Sequence, residues 1–223
     1  MLLLPLLILV LGSLSLLIGL RRASAPVGLF AAGAVALALL VTLGLGFGLP
    51  RVAILSNWQV SGLLAQPLAL RADAPAWLFS AALLTLALAI FLTGFARPGG
   101  RRLPARATLL LLAAAGLMAV QAADLVTLVV AWAALDGLCF LALIAQAQTA
   151  EDARRAAITL TFNLAGTLLV VMAATLAVVR GLPPEFSAAL PPRALGLLCL
   201  AAIFRLGLFP FHIALPDTVG ARK

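Results

Sequence analysis

Two ionisable side chains stand where an ionisable group is expensive to keep. Asp136 lies about 12 residues into an apolar run that begins at Leu125, and Arg205 about 11 residues into one that begins at Ala194. A charge at the centre of a hydrocarbon layer costs about 2.5–3.5 kcal/mol on insertion scales, and more by simulation. Residues retained at such positions mark ion or proton paths, or neutralise one another. If both runs enter the layer from the same side, a rise of about 1.5 Å per residue puts the two side chains at nearly one depth. Opposite charges at one depth are the least costly way to hold either, so direct contact between Asp136 and Arg205, or contact through one water, is expected.

Other polar residues gather near this pair in the sequence. Thr159, Asn163 and Thr167 recur at every fourth position of one apolar run, which places them on one helix face. Such a stripe serves interhelical hydrogen bonding or lines a hydrated path. Pro210 follows Arg205 by five residues and removes a helix hydrogen bond, so the seventh helix is expected to break there. His212 is the only histidine, expected near the inner end of that helix. It is a hydrogen-bonded helix-end residue or a proton relay, since an imidazole exchanges protons near neutral pH.

Other chemistries lack their residues. No P-loop, HExxH, CxxC or GxSxG pattern occurs, tyrosine is absent, and one histidine cannot build a metal cluster. No cofactor, redox centre or metal site of the chain's own is expected. Cys139 and Cys199 lie inside apolar runs and read as small core residues, not a disulfide. Gly44, Gly46 and Gly48 end an apolar run with no strand before them, so they read as packing or flexibility features.

The elements that carry these residues must lie in a membrane. Hydrophobic residues make up 65% of the 223 positions and charged residues 10%, with a mean hydropathy of +1.22. A soluble domain carries about 25% charged residues and could not hide this much apolar surface. Windows of about 20 apolar residues find seven spans, near 2–20, 26–49, 75–96, 107–121, 125–147, 156–179 and 194–215. Between the second and third, residues 50–74 form the longest connection. Its loose alternation at Trp58-Gln59-Val60 and Leu68-Ala69-Leu70 suggests a small interfacial hairpin. The first run is not preceded by positive charge, so it is expected to be a retained helix and not a signal peptide.

Charge sets the orientation. With the N-terminus outside, inner segments hold Arg21, Arg22, Arg97, Arg101, Arg102, Arg106, Arg154, Arg155, Arg222 and Lys223, ten in all. Outer segments hold four: Arg51, Arg71, Arg180 and Arg193. That excess predicts seven spans, N-terminus out and C-terminus in. It also accounts for the net charge of +8 without nucleic acid, because the arginines sit in loops between spans.

The run Phe204-Arg205-Leu206-Gly207-Leu208-Phe209-Pro210-Phe211-His212-Ile213-Ala214-Leu215-Pro216-Asp217 resembles the phrase F-K-x-x-x-x-P-F-H-x-W-L-P-D. That phrase marks the antiporter-like, proton-translocating membrane subunits of respiratory complex I and their relatives in Mrp antiporters and membrane-bound hydrogenases. Asp124-Leu125, Trp132 and Gly137-Leu138-Cys139 resemble the family's fifth helix, and the loop from Trp58 to Asp73 is also similar. The resemblance implies a helical bundle of two inverted five-helix repeats that moves protons through a buried Glu on the fifth helix and a Lys on the seventh. Arg205 stands where that Lys belongs. The Glu position falls at Ala133 or Ala134, with Asp136 about one turn deeper, and the family Trp is Ala214.

These readings describe one transmembrane domain, with helices 1–3 as an N-terminal group and residues 107–215 resembling most of one antiporter-like repeat. The expected role is a membrane subunit of a complex I-like, Mrp-like or hydrogenase-like assembly in an energy-transducing inner membrane. Such a subunit takes part in proton translocation coupled to quinone-linked electron transfer. The alternative is a degenerate member kept as a structural subunit. Expected partners are the bilayer and other membrane subunits, including a chain that completes the repeat.

Overall fold

The computed structural model describes residues 1–18, 27–56, 67–95, 103–183, 185–186 and 190–206. Pro210 and His212, and with them the expected break of the seventh helix, lie outside the described residues. The chain divides into two compact units at Ala123 and Asp124.

The first unit contains α1 (Leu4–Ile18), α2 (Val27–Leu45), α3 (Ala74–Phe95) and α4 (Leu103–Val120). Leucine, alanine and valine dominate all four, and their core faces repeat every seven residues. Leu9 and Leu16 of α1, Leu84 and Phe91 of α3, and Leu110 and Leu117 of α4 are buried in one cluster. Small residues let the backbones approach: a Cβ on Gly12 would sit 3.1 Å from the Ala34 Cβ. Polar ties cross between helices, as when the Ser13 hydroxyl donates to the Ala107 carbonyl at 3.0 Å and the Trp77 indole N–H to the Thr42 carbonyl at 2.8 Å. Gly46, in a 3-10 turn over Gly46–Gly48, leaves room for the Trp77 ring, which would lie 2.8 Å from an added Cβ.

The hairpin is present, but its first strand lies earlier than the alternation around Trp58 suggests. β1 (Arg51–Ser56) pairs antiparallel with β2 (Leu68–Ala72), with Val52 opposite Arg71 and Ile54 opposite Ala69. The run from Arg51 to Ser56 carries the β-branched residues at alternate positions that favour a strand, while Trp58 lies outside the described residues. Ala53 and Leu55 point inward onto Leu70 and Met118.

The second unit contains α5 (Leu125–Ile144), α6 (Ala150–Val179) and α7 (Pro192–Leu206). Asp124 caps α5: one carboxylate oxygen accepts from the Thr127 N–H at 2.7 Å and the other from its hydroxyl at 2.8 Å. α6 begins six residues before the span read from hydropathy, because Thr149 and Asp152 form a capping box that draws the charged residues 151–155 into the helix. It ends in a Schellman motif, with Gly181 at φ +70° and the Leu182 N–H bonded to the Ala177 carbonyl at 3.0 Å.

Seven helices are described, and in each unit large apolar side chains are exposed. Leu11, Leu40, Leu86, Leu141, Leu168 and Met172 are all exposed, which suits a lipid solvent and no aqueous one. Among the described residues, four helical stretches are long and apolar enough to cross a membrane: Gly28–Gly48, Ala74–Thr93, Leu125–Ile144 and Ala150–Val179. Leu4–Ile18 and Ala105–Val120 are shorter apolar helices. The cysteines are free, and Cys199 faces outward from α7 instead of filling the core.

Candidate functional site: a buried ion pair on three helices

The three helices of the second unit meet around Asp136. α5 presents Trp132 and Asp136 four residues apart, hence on one face. α6 presents Asn163 and Thr167, and α7 supplies Arg205. The Asp136 side chain is 1% exposed and that of Arg205 is 19% exposed.

The guanidinium meets the carboxylate end-on. Arg205 Nη1 donates to Asp136 Oδ2 at 3.2 Å, and Nη2 lies 2.8 Å from Oδ1. The shorter contact is an ion-pair approach without an aligned hydrogen bond, so among the described residues Oδ1 accepts none. Oδ2 also accepts from the Thr167 hydroxyl at 3.0 Å. That hydroxyl has one proton, and the Asn163 backbone carbonyl competes for it at 3.2 Å. The guanidinium carbon lies over the Trp132 ring, with Cζ 4.4 Å from the ring centroid.

Close packing brings α7 to this point. Gly166 lies next to Thr167, and a Cβ there would come within 3.3 Å of the Ala201 carbonyl oxygen and 3.6 Å of the Phe204 Cβ. Phe204 in turn packs its ring 6.2 Å from that of Phe162. Glycine at 166 therefore lets the α7 backbone approach α6 one turn before Arg205.

Of the residues singled out in the sequence, Asp136, Arg205 and Thr167 meet directly. Asn163 contributes its backbone carbonyl. Thr159 lies half-buried two turns before Thr167 on α6. Ala133 and Ala134, where the family resemblance would put an acidic residue, are exposed, whereas Asp136 is buried. Two contributors were not legible as site residues: Trp132, whose signal is its i−4 spacing from Asp136, and Gly166, whose signal is its place beside Thr167. Among the described residues no cluster of His, Cys, Asp and Glu could hold a metal ion.

No family model and no curated protein matches this sequence. Solved structures do. A chain of the membrane-bound sulfane sulfur reductase, an archaeal respiratory membrane complex, aligns at TM-score 0.72 and 17% identity, over 94% of this chain and 34% of its own. A chain of the Mrp complex from Dietzia sp. DQ12-45-1b aligns at 0.75 and 23% identity, over 95% of this chain and 24% of its own. A chain of respiratory complex I from Thermus thermophilus with bound aureothin aligns at 0.65 and 22% identity, over 96% of this chain and 46% of its own. The fold is therefore shared with chains of three membrane complexes, in agreement with the antiporter-like membrane subunit family that residues 204–217 resemble. This chain spans less than half the length of each of these three chains.

Proposed function

We propose that this chain is a membrane subunit of a multi-subunit assembly of the complex I and Mrp kind, and that its buried Asp136–Arg205 pair belongs to a proton path coupled to quinone-linked electron transfer. The family likeness supports the first part, and the pair carries the second. A guanidinium holds its proton, so Asp136 is the member of the pair whose charge can change. A proton arriving there removes the attraction to Arg205, and its departure restores it. Thr167 sets which oxygen is loaded, since its hydroxyl shifts between Oδ2 and the Asn163 carbonyl. His212 is the further exchanging group on this route. The orientation, with the N-terminus out and the C-terminus in, and the location in an energy-transducing inner membrane belong to the same proposal.

A second reading has its own observation in favour. The guanidinium is engaged twice, by the Asp136 carboxylate and by the Trp132 ring under its carbon, as in a fixed clamp that holds α5 to α7 in a structural subunit. One experiment separates the two. The assembly that co-purifies with the chain in mild detergent is returned to vesicles, and protons moved per electron are compared between wild type and Asp136→Asn. A lower ratio with electron transfer retained supports the proton path. A normal ratio in a less abundant assembly supports the clamp and overturns the path. A chain that purifies as a stable lone monomer would remove the subunit proposal itself.

A further inference from the structure

We propose that Trp132 is a positioning residue that holds the Arg205 guanidinium independently of Asp136, so that the site accepts a planar guanidinium and disfavours a lysine ammonium. The two contacts use different parts of one group. The carboxylate takes the two Nη ends at 2.8 and 3.2 Å, while the central carbon lies over the indole ring at 4.4 Å, well inside the roughly 6 Å over which a ring attracts a cation. Neither contact blocks the other, and both lie where the side chains of Asp136 and Arg205 are 1% and 19% exposed, so water competes little with them. A guanidinium is planar and offers a face and an edge together; an ammonium is a compact point charge with no face. Lysine at this position would keep the charge but could not hold two nitrogens on the carboxylate and a carbon over the ring at once.

The consequence goes beyond the proposed function, and it holds whether or not the pair conducts protons. When Asp136 is neutral the ion pair is gone, but the ring still attracts the cation. The positive charge then stays beside α5 instead of being released along α7. Trp132 therefore fixes where the charge resides, and Asp136 changes only how it is compensated.

The test reads the tryptophan itself. Ultraviolet resonance Raman spectra of the purified assembly are taken for wild type and for Trp132→Phe, and their difference isolates Trp132 from Trp58 and Trp77. The same difference is then taken in Arg205→Met and in Asp136→Asn backgrounds. The expected result is a Trp132 ring signature that changes when Arg205 is removed and persists when only Asp136 is neutralised. A signature lost in Asp136→Asn means that the carboxylate alone places the cation, and the proposal is overturned. A thermal cycle gives a second readout. Arg205→Lys should lower the midpoint by about 3 °C or more in wild type, and by clearly less once Trp132 is Leu, with Phe in between. Equal losses in all three backgrounds would also overturn it. Neither readout measures proton movement, so failure here leaves the transport reading to its own experiment.

Discussion

Asp136 accepts both of its hydrogen bonds on one oxygen, and that unevenness sets what each substitution does. Oδ2 is shared by Arg205 and Thr167, while Oδ1 has the closest cation and no aligned hydrogen bond. Breaking a buried pair by removing one partner leaves an uncompensated charge, at a cost of about 3–5 kcal/mol, whereas removing both is often far less harmful. Asp136→Asn and Arg205→Met are therefore each expected to destabilise the protein by about that amount, and the double variant to recover part of the loss. Thermal unfolding of the four proteins checks this, and strictly additive losses would show that the contact carries no energy. The pair was legible in the sequence because two opposite charges in long apolar runs have few alternatives to each other. Trp132 was not, since an aromatic residue in a membrane helix is ordinary by composition and its role depends on the rotamer that Arg205 adopts. Gly166 was hidden for a similar reason: glycine is frequent in such helices, and only the Ala201 carbonyl beside it reveals the close approach.

At the scale of elements, α6 organises the second unit. Its central face carries Gly166 against α7 and Thr167 against α5, so small changes there move two neighbours at once. Gly166→Ala would press a methyl group to 3.3 Å from a backbone oxygen that cannot rotate away. The expected cost is about 1–3 kcal/mol, typical of overpacking. Gly137→Ala on α5 is the control: nothing described lies within 4 Å of its added Cβ, so the gain in helix propensity should leave stability unchanged or raised by up to about 1 kcal/mol. Thermal midpoints compare them, and equal losses would mean that the close approach at Gly166 is not what matters. The start of α6 makes a separate prediction. Thr149→Ala removes the capping box, and first-turn amides near Ala153 should exchange hydrogen faster while those near Val170 do not. Unchanged exchange near Ala153 would show that the cap is dispensable. Hydropathy located the helices well, but it misplaced the ends where polar chemistry decides them. The Thr149-to-Asp152 box extends α6 past its apolar part, and the Arg51-to-Ser56 strand is too short for a window of about 20 residues to register.

For the whole molecule, the arginine distribution makes the strongest statement. The proposed topology puts ten basic residues on one side and four on the other, and leaves Arg205 as the one basic residue assigned to neither side. Shifting the number of spans by one between the third and the sixth would put the clusters around Arg101 and around Arg154 on opposite sides and cut the count to eight against six. The proposed orientation rests on the same count, and it bears on the site, because Asp136 and Arg205 share one depth only if α5 and α7 enter from the same face. Two described positions test it. Gln148, before α6, is exposed and belongs inside; Phe186, between α6 and α7, is exposed and belongs outside. With Cys139 and Cys199 replaced, a Gln148→Cys variant in sealed right-side-out vesicles should resist a membrane-impermeant thiol reagent until the vesicles are opened. A Phe186→Cys variant should react at once. The reverse pattern would mean that the chain is inserted upside down, which leaves the ion pair intact but inverts the direction of any proton path through it. Reaction of both from one side would mean that α6 does not cross the bilayer. In that case the equal-depth argument for Asp136 and Arg205 would fail, although their contact within the second unit would still need an explanation.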